Sequence, residues 1–115
     1  MSWIKITEIE NIPVREGRAV KIDRDEIAVF NLGDRFAAIE NRCPHSGGPL
    51  CDGIVSGATV VCPLHGWKVC LDSGEILKPQ VPVRVEVYAV RVEDGVIEVD
   101  VPERSPMEDR KGRAA

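Results

Sequence analysis

The chain has 115 residues, of which 43% are hydrophobic and 30% charged, and its formal net charge at pH 7 is −4. This length provides one modest core, and the composition excludes an intrinsically disordered chain. The net negative charge argues against binding to nucleic acid, which needs a concentrated basic face. No apolar run approaches the roughly 20 residues that cross a bilayer, and the start lacks a secretory hydrophobic region. A cytoplasmic protein with no membrane segment is expected.

The first forty residues favour β-strands. Residues 3–6 alternate in polarity, and Ile9 and Ile12 are expected to pack a turn that Pro13 ends. Two β-branched runs, 17–22 and 26–32, flank the polar Asp23-Arg24-Asp25, and this pattern is typical of a hairpin. Another strand is predicted at 35–40. No segment here has a helical period.

The second half of the chain continues the strand pattern. Strands are predicted over residues 58–61, 67–71, 83–92 and 96–101, and Asp94-Gly95 is a strong hairpin turn. The sequence therefore predicts an all-β domain of small antiparallel sheets over residues 1–102. A cluster-binding subdomain, at about residues 41–80, is expected to be inserted into a base formed by both ends of the chain. The tail, 103–115, lacks apolar periodicity and is predicted to be flexible.

Two short clusters of metal-ligating residues lie between these strands. They read Cys43-Pro44-His45 and, after sixteen residues, Cys62-Pro63-Leu64-His65, and they contain both histidines of the chain. Thiolate and neutral imidazole bind soft or borderline metals, and four such ligands complete a site. The set suits a [2Fe-2S] cluster with sulfur ligands on one iron and nitrogen ligands on the other. It also suits a structural Cys2His2 zinc site.

The pattern C-P-H-x16-C-P-L-H resembles the motif of the Rieske [2Fe-2S] family. The resemblance extends to flanking segments on both sides of the motif. They are Gly47-Gly48-Pro49-Leu50, Asp52-Gly53, Gly66-Trp67, Leu71-Asp72-Ser73-Gly74-Glu75 and residues 88–95. It implies a Rieske-like fold, a Rieske-type [2Fe-2S] cluster and a one-electron carrier that turns nothing over alone. It also implies that Cys43 and Cys62 bind the inner iron, and His45 and His65 the outer iron near solvent.

The glycines beside the ligands weigh against the zinc alternative. Gly47, Gly48 and Gly66 allow backbone N–H groups to approach bridging sulfides, and a zinc ribbon does not need them. Zinc ribbons also use C-x-x-C more often than C-x-H. A structural zinc-binding module nevertheless remains the alternative of another class.

Within the family, the sequence looks most like the small subunit of NAD(P)H-dependent assimilatory nitrite reductase. Segments 17–20, 27–30, 38–45 and 62–67 are similar to that group, although Val69-Cys70 departs from it. This resemblance implies a partner large subunit bearing flavin, a [4Fe-4S] cluster and sirohaem, and a role in nitrate assimilation through reduction of nitrite to ammonium. The alternative is a free Rieske ferredoxin whose partners are an aromatic-ring dioxygenase and its reductase.

Two further cysteines, Cys51 and Cys70, lie where the family needs no ligand. The high-potential branch of the family joins its ligand loops by a disulfide, but the corresponding positions here are Gly48 and Leu64. Cys51 and Cys70 are therefore predicted to be small buried apolar residues. A disulfide between them, or redox sensing by either, is the alternative.

Overall fold

The computed structural model describes residues 3–22, 25–42, 49–63 and 66–101, and it confirms the all-β fold class. In these ranges, antiparallel strands are joined by turns and by two short 3-10 helices, Ile9–Asn11 and Leu50–Asp52. The strands are β1 Trp3–Glu8, β2 Gly17–Ile22, β3 Asp25–Asn31, β4 Phe36–Glu40, β5 Ile54–Ser56, β6 Thr59–Val61, β7 Lys68–Cys70, β8 Ile76–Lys78, β9 Val87–Tyr88, β10 Val90–Glu93 and β11 Val96–Asp100. None of the described helices is long and apolar enough to span a bilayer.

The strands form three sheets, and the central one is buried on both faces. Its strand order is β2-β3-β4-β9. Because successive side chains of a strand point to opposite faces, Ala28 and Phe30 enter one core while Ile27 and Val29 enter another. All four of these side chains are fully buried. This explains why β3 is a nearly continuous apolar run rather than an alternating one.

The other two sheets cover the two faces of the central sheet. A terminal sheet of order β1-β11-β10 packs on one face, where Ile12, Ile97 and Val99 fill the core. An inserted sheet of order β5-β6-β7-β8 packs on the other face. It lies in sequence between β4 and β9, which pair with each other in the central sheet. The inserted sheet falls within residues 41–80, and the division of the chain into a base and a cluster-binding subdomain stays a prediction.

The predicted hairpin around Asp94-Gly95 is confirmed. Asp94 and Gly95 have φ angles of 53° and 76°, and such left-handed turns match the right-handed twist of the strands β10 and β11. The pairing of β2 with β3 is also as predicted. The turn residues Asp23 and Arg24 lie outside the described residues, as does the predicted tail, 103–115.

The predicted strand over residues 83–92 was wrong, because this apolar run serves two different sheets. Tyr88 pairs with Ala38 in the central sheet, whereas Val90 pairs with Val99 in the terminal sheet. Between them, the Ala89 carbonyl accepts a hydrogen bond from the Asp100 N–H at 2.9 Å. The sequence also failed to predict β5 and β8, each of which buries one side chain and is defined by its pairing with β6 or β7.

Candidate metal centre

Of the four predicted ligands, Cys62 is described by the structure. Cys43, His45 and His65 lie outside the described residues, so their assignment rests on the sequence. The backbone on either side of them is described, and it determines where each ligand loop begins and ends. The first loop leaves the central sheet after β4, and the second leaves the inserted sheet after β6.

Asn41 holds the two ends of the first loop together. Its side-chain Oδ1 accepts a hydrogen bond of 2.8 Å from the backbone N–H of Cys51, ten residues later. Its Nδ2 donates to Glu26 Oε2 at 3.1 Å, and its own N–H donates to the Glu26 carbonyl at 2.9 Å. Asn41 is only 5% exposed, and a buried amide with both ends bonded fixes the backbone around it. The segment that contains Cys43 and His45 is therefore anchored at both ends.

The second loop is a tight ring that begins at Cys62. The Cys62 N–H donates to the Trp67 carbonyl at 2.7 Å, and the Gly66 N–H donates to the Cys62 carbonyl at 3.1 Å. Gly66 has a φ of +73°, a left-handed conformation that costs glycine little. Cys62 itself is 2% exposed and belongs to the core beneath the inserted sheet. Its thiol is therefore withdrawn from bulk solvent at the start of the loop.

The ends of the two ligand loops meet in one hydrophobic cluster. Leu50, which follows the first loop, is buried in the same cluster as Cys62, and Cys51 and Trp67 pack against it. The chain after the first loop lies so close to β6 that a Cβ at Gly53 would clash with the Val61 carbonyl oxygen. Since the ends of both loops lie in the same hydrophobic cluster, ligands from both loops can bind one metal centre. Two thiolates and two imidazoles fit a [2Fe-2S] cluster.

No competing metal site is found in the described part of the chain. There, no group of three or more histidine, cysteine, aspartate or glutamate side chains could hold a metal ion. The two ligand loops therefore remain the candidate metal centre, because the sequence places the ligands in them and the structure places their ends side by side.

The two remaining cysteines are free thiols, so the disulfide between Cys51 and Cys70 is excluded. They are half-buried rather than fully buried, which corrects the prediction from sequence. Burial raises the pKa of the Cys51 thiol, and the charge of Asp52 raises it further. Partial burial also acts to raise the pKa of Cys70, but hydrogen bonds to Ser73 and to the Asp72 backbone outweigh it and lower that pKa below its ordinary value.

Cys70 is therefore expected to be alkylated by iodoacetamide faster than Cys51 at neutral pH, because the thiolate is the nucleophile. Peptide mapping by mass spectrometry after short labelling times measures the two rates. Cys70→Ser should remove the fast reaction, and the matched Cys51→Ser variant should keep it. Earlier labelling of Cys51 than of Cys70 would contradict the assigned order of the two pKa values.

Asn41 was missed as a functional candidate by sequence reasoning. A weak signal was present, because asparagine after a strand commonly bonds backbone groups of a following turn. Its side chain in fact accepts from the N–H of Cys51, ten residues later, and no short sequence motif predicts a hydrogen bond over that separation.

Comparison with known proteins adds independent findings. The family model described as the Rieske-like [2Fe-2S] domain matches residues 2–100. The 3-phenylpropionate/cinnamic acid dioxygenase ferredoxin subunit of Escherichia coli K12 is 38% identical over 108 residues, covering 92% of this chain and 100% of the relative. Both results concern nearly the whole chain.

Two solved structures are also similar. One is a chain of the complex of reduced oxygenase and oxidized ferredoxin in carbazole 1,9a-dioxygenase. It matches with a TM-score of 0.78 and 26% identity, and the match covers 84% of this chain and 100% of the chain in the complex. A Mycobacterium tuberculosis protein assigned as an NADH-dependent nitrite reductase small subunit matches with a TM-score of 0.81 and 30% identity, covering 89% and 97%.

Proposed function

This chain belongs to the family of Rieske-like [2Fe-2S] domains, and from that premise we propose that it is the ferredoxin of an oxygenase system. It is a Rieske-type electron carrier, and its cofactor is a Rieske-type [2Fe-2S] cluster. The proposed role is to pass single electrons to an aromatic-ring dioxygenase. The observation that supports this choice is the 38% identity to a dioxygenase ferredoxin subunit along that protein's full length. We place the protein in the cytoplasm.

The proposed ligands are the four residues of the two sequence clusters. Cys43 and Cys62 would hold one iron, and His45 and His65 the other. The burial of Cys62 supports the inner position for the thiolates. When bound, the cluster accepts and releases one electron. The family assignment sets the structural zinc module aside.

The residues around the loops support electron transfer by holding the ligands still. The Asn41 side chain fixes both ends of the first loop, and the Cys62–Trp67 ring fixes the second. Each loop is in turn attached to a sheet that packs on the same core. Ligands on a rigid scaffold change position little between two oxidation states, and this favours fast transfer.

The nitrite reductase small subunit, which the sequence placed first, becomes the second candidate. It is supported by the similarity to the M. tuberculosis structure, which is 30% identical to this chain. A different large subunit would then be the redox partner, while the electron carrier itself would work in the same way.

The midpoint potential is expected at the low end of the Rieske range, between about −150 and 0 mV. High-potential relatives place a serine at the position of Trp67, and tryptophan offers no hydroxyl to a cluster sulfur. Fewer hydrogen bonds to sulfur stabilise the reduced cluster less. Spectroelectrochemical titration measures the potential, and the matched Trp67→Phe variant should leave it unchanged. A midpoint well above about +100 mV would contradict this prediction.

Reconstituted electron transfer tests the proposed function. The anaerobically reduced chain is mixed by stopped flow with the terminal oxygenase of the E. coli 3-phenylpropionate dioxygenase, and separately with a sirohaem-containing nitrite reductase large subunit. Reoxidation is followed by the visible absorption of the cluster. Faster reoxidation by the oxygenase is expected. Transfer to the nitrite reductase subunit but not to the oxygenase would overturn the proposal in favour of the second candidate.

A further inference from the structure

The outer face of the inserted sheet carries a row of four side chains, one from each strand. Ile54 pairs with Val61, Val61 pairs with Lys68, and Lys68 pairs with Lys78. Paired residues of antiparallel strands project from the same face of a sheet. The adjacent row of Val55, Val60, Val69 and Ile76 is buried in the core, so this outer row faces solvent.

The outer row lies beside the second ligand loop. Val61 directly precedes Cys62, and Lys68 directly follows Trp67, which closes the ring by accepting the Cys62 N–H. A protein docked on this row would therefore touch the strands that begin and end the loop. Such a position brings a partner close to the proposed ligands.

One half of the outer row is cationic and has no ion-pair partner among the described residues. Lys68 and Lys78 are both exposed and are paired at a register shift that leaves Leu77 as an extra residue on β8, and like charges at paired positions destabilise a sheet. Neither lysine forms an ion pair in the portion of the chain that the structure describes. The two carboxylates in the turn between β7 and β8 are already engaged. Asp72 accepts two hydrogen bonds from Arg35, and Glu75 pairs with Arg84.

Protection of a sheet edge explains only one of these lysines. Lysine on an edge strand discourages pairing with other chains, and Lys78 lies on the edge strand β8. Lys68 lies on the interior strand β7, where no edge needs protection. The pair thus retains an unfavourable repulsion in a chain whose net charge is −4.

The other half of the row is apolar. Ile54 is 72% exposed, more than any other large hydrophobic side chain among the described residues, and it lies on the edge strand β5. Val61 lies between Ile54 and Lys68, so the row passes from apolar side chains to a charged pair, and interfaces likewise combine an apolar contact with a polar rim.

We propose that the outer row of Ile54, Val61, Lys68 and Lys78 is the docking surface for an acidic patch of the redox partner. The inference rests on the proposed function and adds the surface chemistry of the partner. A carboxylate-rich partner removes the repulsion between the lysines, and Ile54 supplies the apolar contact.

The test compares charge reversal on the row with charge reversal elsewhere. The double variant Lys68→Glu, Lys78→Glu and the matched control Lys5→Glu, Lys21→Glu change the net charge equally, and all four lysines are exposed on strands. Electron transfer from each reduced protein to the oxygenase and to the nitrite reductase large subunit is measured over a series of salt concentrations. The docking proposal is tested with the partner that the unmodified chain reduces. Which of the two partners that is tests the proposed function, so the two proposals can fail separately.

At low salt, the row variant is expected to transfer electrons about tenfold more slowly than the control, with the difference shrinking as salt screens the charges. Ile54→Ser should weaken binding to the partner, and the matched Val92→Ser, on the terminal sheet, should not. Visible absorption of the cluster verifies folding of each variant. Equal rates for the two charge variants, or faster transfer by the row variant, would overturn the proposal.

Discussion

Replacement of Cys62 by serine is expected to abolish the native [2Fe-2S] cluster and to destabilise the fold. A neutral hydroxyl is a poor ligand for a site that needs a thiolate, and loss of the metal removes the folding free energy that binding supplies. The side chain is also almost fully buried, so the hydroxyl adds a desolvation cost of about 1–3 kcal/mol. Iron and sulfide content, visible absorption and thermal unfolding measure these effects.

Cys70→Ser is the matched control, because Cys70 is a half-buried free thiol at the end of β7 and is not a proposed ligand. It should keep the full iron and sulfide content and the colour of the parent protein. A Cys62→Ser protein that retained the same absorption spectrum as the control would show that Cys62 is not a ligand.

Replacement of Asn41 by alanine should cost about 1–3 kcal/mol of unfolding free energy and accelerate loss of the cluster. The change leaves the buried N–H of Cys51 without its acceptor and removes the donor to Glu26. The two ends of the first ligand loop are then no longer held together. Urea unfolding gives the stability, and the decay of visible absorption in the presence of an iron chelator gives the rate of cluster loss.

Paired substitutions separate the role of Asn41 in the loop from a general loss of packing. Asn41→Asp keeps the acceptor for the Cys51 N–H but places a second carboxylate against that of Glu26. Because the two negative charges repel each other, the variant protein should be less stable than the parent. Adding Glu26→Gln restores a donor–acceptor pair in the opposite sense and should recover both stability and cluster retention. If Asn41→Ala lost its cluster no faster than the parent, the proposed anchoring of the loop would be wrong.

The sequence predicted the fold class because most strands bury apolar residues in a recognisable pattern. The run Ile27, Ala28, Val29, Phe30 was predicted as a strand from its apolar and β-branched residues, and Asp94-Gly95 predicted the last hairpin. The structure shows that this strand is covered on both faces. The short strands β5 and β8 could not be predicted, because they are stabilised by pairing with β6 and β7 rather than by their own pattern. The break at Ala89 depends on which sheet each neighbour joins, and local sequence does not contain that information.

The site could be predicted as a set of ligands but not as a geometry. Cys62 stood out from its spacing to Pro63 and His65, and the structure places it, buried, at the start of a loop that its N–H closes by donating to the Trp67 carbonyl. The acceptor role of Asn41 depends on a contact ten residues away, and the pairing of Lys68 with Lys78 depends on strand register. Composition gives the net charge of the chain but does not show where the charges lie.

Two cysteines and two histidines are proposed to hold the cluster on which this chain carries one electron. Metal and sulfide analysis of the anaerobically reconstituted protein, combined with electron paramagnetic resonance of the reduced form, measures whether that cluster is present. About two irons and two sulfides per chain are expected, with a rhombic signal that appears only on one-electron reduction. A protein that binds zinc but takes up no iron and sulfide under these conditions would contradict the proposal.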